Sequence, residues 1–273
     1  MIKNKRIVIF GGAGSIGSEL SRQLSIKNKI YIVDFNETAC FDLMTDLGVP
    51  GRIGDIRDEN TVREVFDDFK PQVVFHAAAY KHVTPMEATP LEAIKTNVVG
   101  TYNILQYSKI YPVEKFVYIS TDKAVQSNSI MGATKRLGEI MVKNSGKGYV
   151  TVRFGNVLGS RGSVIPIWQR QIDAGKALTV TDSNMKRFFM TIEEACTLVI
   201  EAGSQGVGGE IYVLDMGKQV NILALAKDLV KSLGREVPIE MIGLRPGETL
   251  EEKIMFEEEE HRAIKSGNYY IIK

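Results

Sequence analysis

Up to Phe154, short uninterrupted apolar runs alternate with stretches whose apolar positions repeat every three or four residues. Arg6–Phe10 reads as a buried parallel strand, and Ile16, Leu20 and Leu24 at i, i+4 and i+8 predict the helix behind it. Ile30–Val33, ending in Asp34, is a second such strand. Asn36–Leu47 is a second helix, closed by the tight connection Gly48-Val49-Pro50-Gly51. Val62, Val65, Phe66 and Phe69 share one face of a helix over Glu59–Phe69, which Pro71 stops. Gln72–Phe75 is a further strand. A long helix is predicted over Pro90–Ile110, with Leu91, Ile94, Val98, Tyr102 and Leu105 as its apolar stripe and Asn97 beside it. Val117–Ile119 ends a strand, Ile130–Val142 is helical, and Tyr149–Phe154 is the next strand. This alternation predicts an α/β fold with a doubly wound parallel sheet.

Beyond Phe154 the alternation lapses, which divides the chain into a core over 1–154 and a smaller lobe over 155–273, with a strand and helix at about 191–214 returning to the core. Thr191-Ile192-Glu193-Glu194 reads as a capping box, making Glu194 structural. Glu210–Leu214 reads as the last strand. Ile222, Leu225, Leu229 and Leu233 line one face of a helix that Gly234 caps. Glu257–Glu260 with His261 reads as a solvated helix end. No internal repeat or low-complexity linker is visible.

Apolar content of 44% and charge of 25% suit an ordinary globular core, and a net charge of +1 offers no field for nucleic acid or an anionic membrane. Cys40 and Cys196 are too few for a disulfide framework and lack metal-ligand spacing, which points to a reducing compartment. Four apolar residues before Gly11 are too short for a signal-peptide core, and no run is long enough to span a bilayer, so a soluble cytoplasmic module is expected. His76 and His82 have no third ligand nearby, so no metal site is expected.

Candidate chemistry sits at two places. Gly11, Gly14 and Gly17 follow the first strand and open its helix, permitting a tight turn and close approach of backbone N–H groups around Ser15 and Ile16 to a pyrophosphate. Alone this is a tight strand–helix corner; the flanking elements and the acid ending the next strand make it a dinucleotide fingerprint. Asp34 can accept hydrogen bonds from a ribose diol and repel a 2′-phosphate, and Phe35-Asn36-Glu37 supplies no cation, which favours NAD over NADP. The alternative is a loop or capping aspartate. The second place is Ser120-Thr121-Asp122-Lys123, just beyond the carboxyl end of a strand, where ligands sit in open α/β sheets. Met131 and Lys135, four apart, share one face of the helix that follows. A solvated ion pair is the plain alternative for Asp122 and Lys123.

These residues resemble the active-site segment of the extended short-chain dehydrogenases/reductases, built on a Ser/Thr…Tyr-x-x-x-Lys arrangement, and the glycine spacing is that family's variant. Met131 stands at the tyrosine position. With Asp122-Lys123 directly after Ser120-Thr121, the segment is similar to a narrower group, the UDP-N-acetylglucosamine 4,6-dehydratases of bacterial polysaccharide and flagellin glycosylation. The resemblance runs from Arg6 to about Ile272 and is most specific over Ala77–Val83, Ser120–Lys135 and Arg153–Val164. It implies a Rossmann-type core binding NAD and a small C-terminal lobe binding a nucleotide sugar. Implied cofactor contacts are Asp55, Ile56, Ala77, Ala78, Ala79 and Lys135. Implied substrate contacts are Lys81, Asn156 of an Arg153-x-x-Asn156 turn, Ser163, Val164, Arg187, and Arg245 and Glu248 of Arg-Pro-Gly-Glu. Without the resemblance Gly54-Asp55 is a turn, 153–164 a connector, and Arg187 surface packing; Asn97 is either a satisfied core amide or a brace for the active-site strand.

The implied reaction is redox-neutral: hydride leaves C4 of the hexose, the ketone acidifies the C5 proton, water leaves from C6, and the hydride returns at C6. It needs a base at C5 and an acid at C6, for which Lys123 and Asp122 are the candidates. Thr121 would bond the C4 oxygen, and Lys135 would position the nicotinamide ribose. A thioether is a poor proton acceptor with no O–H to give, so Met131 becomes a packing residue, and Asp122 first, Lys135 second, inherits the tyrosine's duty. A UDP-sugar partner and a homo-oligomer, dimer or hexamer, are expected. A nucleotide-sugar 4-epimerase would share everything except the dedicated acid/base pair. A non-catalytic dinucleotide-sensing protein could lack the tyrosine but would not need Asp122, Lys123, Lys135, Arg245 and Glu248 together.

Overall fold

The computed structural model describes residues 2–125, 127–234 and 236–273. Nine strands form one sheet: β1 (Arg6–Phe10), β2 (Lys29–Asp34), β3 (Gly51–Ile53), β4 (Val73–His76), β5 (Lys115–Thr121), β6 (Tyr149–Phe154), β7 (Ile211–Leu214), β8 (Ile264–Ser266) and β9 (Tyr269–Ile272). Their spatial order is β8-β9-β7-β6-β5-β4-β1-β2-β3. From β3 across to β7 every neighbour is parallel, while β9 and β8 close the far edge antiparallel. The chain order reverses between β1 and β4, and this switch point is where an α/β sheet opens a crevice.

The apolar runs are buried on both faces because helices cover both. Ile7, Ile9, Ile32, Phe75, Val117 and Val152 pack with Leu20, Leu24 and the helix Ile192–Gln205. The alternate residues Val8, Phe10, Val74, Phe116 and Tyr118 pack with Val62, Phe66, Ile104 and Val142 on the other side. Period-two alternation thus feeds two cores at once. The fold is a Rossmann-type doubly wound parallel sheet. A third cluster, around Trp168, Ile172, Leu178, Val180, Met185, Ile222 and Ala226, lies apart from both. It is tied by two-stranded pairings of Leu178–Val180 with Ile239–Met241 and Lys186–Arg187 with Val220–Asn221. Among the described residues no helix is long and apolar enough to cross a membrane.

Three local expectations change. Leu91, Ile94 and Tyr102 are exposed and only Leu105 of that stripe is fully buried. The cause is a π-helical stretch over Ile94–Gly100, whose wider turn rotates the faces and brings Asn97, Gly100 and Thr101 inward. Glu210–Leu214 is not the last strand, because β8 and β9 form a C-terminal hairpin that docks on β7. In the acidic run Glu257–Glu260, Glu259 is buried rather than solvated. Its carboxylate accepts from Arg153 Nη1 at 2.7 Å.

Candidate active site

The glycine turn sits at the switch point. Gly11 has φ +76°, and a Cβ there would lie 2.4 Å from Ala78 N; one on Gly17 would lie 2.0 Å from Gly11 O. Both clashes are with backbone, so only glycine lets the β1 turn press against the Ala77-Ala78 segment after β4. Gly14 caps the helix Ser15–Ser25 without a side-chain hydrogen bond, and the helix carries no acid in its first turn. At the end of β2, Asp34 accepts from Ala13 N and Asn36 N, each at 3.1 Å, one per carboxylate oxygen. Asp55 pairs with Arg57, while Asn103 Nδ2 donates to Ile56 O at 3.0 Å and anchors that segment.

Asn97 shows what the π turn is for. Its side chain accepts from Tyr80 N (2.8 Å) and donates to Tyr80 O (3.0 Å) and Thr134 Oγ1 (3.0 Å). It therefore ties the chain after β4 to the helix Ile130–Lys143, rather than bracing β5.

At the end of β5, Thr121 Oγ1 donates to Asp122 Oδ1 at 2.9 Å, and Lys123 Nζ donates to the same oxygen at 2.9 Å. Lys123 Nζ also reaches Asn156 Oδ1 at 3.3 Å and lies 3.6 Å from Glu252 Oε1. Burial works against the Lys123 charge, but Asp122 and Glu252 overcome it and raise its pKa above the ordinary lysine value. Asp122 is fully buried, and its Oδ2 has no hydrogen-bond partner among the described residues. Ser163 Oγ and Thr249 Oγ1 are in the same condition.

Ser129 caps the following helix through Gly132 N, and a Cβ on Gly132 would lie 2.1 Å from Lys123 O, so glycine here lets the helix close on the Asp-Lys turn. Met131 is buried among Met86, Ala93, Tyr80, Val83 and Ile130. One turn on, Lys135 Nζ donates to Ile119 O at 2.5 Å and sits 4.0 Å above the Tyr118 ring. Burial lowers its pKa to about 7. Ser120, by contrast, points away, donating to Glu139 at 2.6 Å. Arg153 forks onto Glu139 (3.0 and 2.7 Å) and is completely buried, which leaves Asn156 as the member of that turn facing Lys123.

The remaining candidates lie after β4 and beyond Phe154. Lys81 is exposed; the crowded protein around it and the charges of Arg161 and Lys123 lower its pKa. Ser163 stands at the N-cap position of the helix that starts at Val164, without a side-chain capping bond. Arg187 donates to the carbonyls of Lys186 and Thr249, both at 2.7 Å, and of Leu250 at 3.2 Å, so its guanidinium braces the segment before Glu252. Arg245 is exposed, in a turn closed by Arg245 N donating to Glu248 Oε2 at 3.1 Å.

Two residues that sequence reasoning left unassigned complete the cleft. Arg161 reaches back to the glycine turn, its backbone N on Ser15 Oγ at 3.0 Å and its guanidinium on Ala13 O at 2.9 Å. Glu252 brings a second carboxylate to Lys123. No local signal marks either one, because both partners are over a hundred residues away in sequence. Among the described residues no group of three or more His, Cys, Asp or Glu could hold a metal ion.

The chain is 45% identical over 279 residues to the capsular polysaccharide biosynthesis protein CapD of Staphylococcus aureus, covering 95% of this chain and 46% of that protein. It thus spans about half the length of that relative. It is 38% identical to a UDP-glucose 4-epimerase of Rickettsia bellii and 33% identical to the UDP-N-acetylglucosamine 4,6-dehydratase (inverting) of Campylobacter jejuni, each over this whole chain and 84% of the relative. The X-ray structure of Pen from Bacillus thuringiensis superposes with a TM-score of 0.92 at 36% identity, covering 99% of this chain and 88% of that one. The model of the polysaccharide biosynthesis protein family matches residues 7–273, and the chain belongs to that family, within the extended short-chain dehydrogenase/reductase superfamily.

Proposed function

We propose that this chain catalyses the NAD-dependent 4,6-dehydration of a UDP-N-acetylhexosamine, UDP-N-acetylglucosamine, to a UDP-4-keto-6-deoxy sugar. The observation that carries the reading is the Asp122–Lys123 pair at the carboxyl end of β5, beside a Met131 buried in apolar contacts. The residues fit a dinucleotide: a glycine turn held close against Ala78 at the switch point, an uncapped helix start and an aspartate at the end of β2. A bound nicotinamide dinucleotide would supply a hydride acceptor that is regenerated within each turnover, so no outside oxidant would be consumed.

The chain's own residues handle the protons. Thr121 positions the C4 oxygen, and Asp122 is the first candidate to take the C4 hydroxyl proton, with Lys135 second. Lys123 starts as an ammonium ion. It gives that proton to solvent before the cleft fills, so the Asp122 carboxylate stays free to take the C4 hydroxyl proton and carry it to C6. Lys123 is then the base for the C5 proton and Asp122 the acid for the departing C6 hydroxyl. The proton taken from C5 returns there as the hydride reaches C6. Lys81, Asn156, Ser163, Val164, Arg245 and Glu248 would hold the UDP-sugar, with Arg187 bracing the wall behind it.

A 4-epimerase is the second reading, favoured by the identity to the Rickettsia protein. Incubation with UDP-N-acetylglucosamine followed by mass spectrometry separates the cases. Loss of one water supports dehydration, an isobaric epimer overturns it in favour of the second reading, and unchanged sugar overturns both.

A further inference from the structure

We propose that Glu252 is a positioning residue for Lys123, a carboxylate from the C-terminal lobe that holds this lysine in its protonated form and in place. Glu252 is buried, with Oε1 3.6 Å from Lys123 Nζ and 3.7 Å from Arg187 Nε. Its segment is clamped on both sides. Arg187 donates to the carbonyls of Thr249 and Leu250, and Gln219 Nε2 donates to Glu252 O at 2.9 Å. Lys186 ties down the neighbouring Glu251 at 2.6 Å. A carboxylate on a fixed backbone holds its charge at a fixed distance, which a mobile surface glutamate would not do.

Four charged groups bear on Lys123. Asp122 and Glu252 attract its proton, while Arg187 and Lys81 repel it. Asp122 is its immediate neighbour in sequence, so Glu252 is the one attractive charge among these that the lobe supplies. Removing that charge makes the ammonium easier to discharge, and the limb of any rate that needs neutral Lys123 moves toward lower pH. Only the base role of Lys123 rests on the proposed dehydration; its protonation does not.

Competitive acetylation with acetic anhydride across a pH series, read lysine by lysine by mass spectrometry, measures this in the intact chain. The exposed Lys176 serves as reference. In the wild type, the Lys123 midpoint is expected above that of Lys176. Glu252→Gln should lower it by at least about 0.8 pH unit, the shift that one charge at this distance gives even in water. Glu252→Asp, which keeps the charge, should restore most of the difference. A wild-type midpoint no higher than that of Lys176, or an unmoved midpoint in Glu252→Gln, overturns the proposal, and the first of these needs no variant to fold. With UDP-N-acetylglucosamine, the acid limb of the rate should follow the labelling midpoint downward. Should the midpoint move and the limb stay, the placement of Glu252 stands and the assignment of Lys123 as base falls.

Discussion

Lys135 offers a test of the site that needs neither substrate nor cofactor. Its ammonium is buried on the Tyr118 ring, and its pKa falls from 10.5 to about 7 because burial disfavours the charge more than Glu139 supports it. A lysine that binds its proton less tightly when folded weakens the fold wherever the unfolded chain is protonated. The penalty is full below about pH 7 and is relieved as pH rises toward 10.5, because there the unfolded state binds more protons than the native one. A drop of this size corresponds to roughly 5 kcal/mol at full effect, and between pH 7 and 10 about 3 to 4 kcal/mol of it should be recovered. Lys135→Met removes the charge and nearly keeps the volume. It also leaves Ile119 O without its donor, a loss of about 1–3 kcal/mol that does not vary with pH. Equilibrium urea unfolding of both nucleotide-free proteins at steps from pH 7 to 10 isolates the linkage. The difference in stability, variant minus wild type, should be most favourable to the variant at pH 7 and fall by about 3 kcal/mol by pH 10. A difference that stays level across this range would refute the perturbed lysine, whatever its absolute value.

Three further outcomes are expected. Met131→Leu should keep most of the dehydration rate, since the side chain only packs in its cluster, whereas Lys123→Ala should still oxidise C4, seen as cofactor fluorescence, yet release no water; the reverse pattern would reassign both residues. Cofactor recovered from denatured protein should be NAD(H), because Asp34 disfavours a 2′-phosphate, and recovery of NADP(H) alone would contradict that role. Glu139→Gln should destabilise by about 3 kcal/mol or more in thermal or urea melts, because it leaves the buried Arg153 fork with Glu259 as its remaining carboxylate; a loss under about 1 kcal/mol would mean that the network contributes little.

What the chain writes locally was legible without coordinates. Arg6–Phe10 and Tyr149–Phe154 are strands over those very residues, and Glu59–Phe69 is a helix, because apolar period, caps and proline act within a few residues of one another. The glycine turn and the Ser-Thr-Asp-Lys segment are likewise written in contiguous residues, although Gly11 presses on Ala78 and Lys123 meets Asn156 and Glu252 only once the chain is folded. Tertiary structure decided whatever depends on segments far apart in sequence. The π turn in the long helix exists because Asn97 meets the backbone of Tyr80 and Gly100 meets Ile56, and this rotation cancels the apolar stripe that spacing alone predicts. Glu259 reads as solvated until β9 docks on β7 and brings its helix to Arg153. Arg161 at the glycine turn and Glu252 beside Lys123 are likewise products of the lobe folding back over the sheet. Local patterns record short-range sterics and burial, whereas the charge felt by Lys123 adds to its neighbour Asp122 the contributions of Glu252 and Arg187, which only the folded chain brings near.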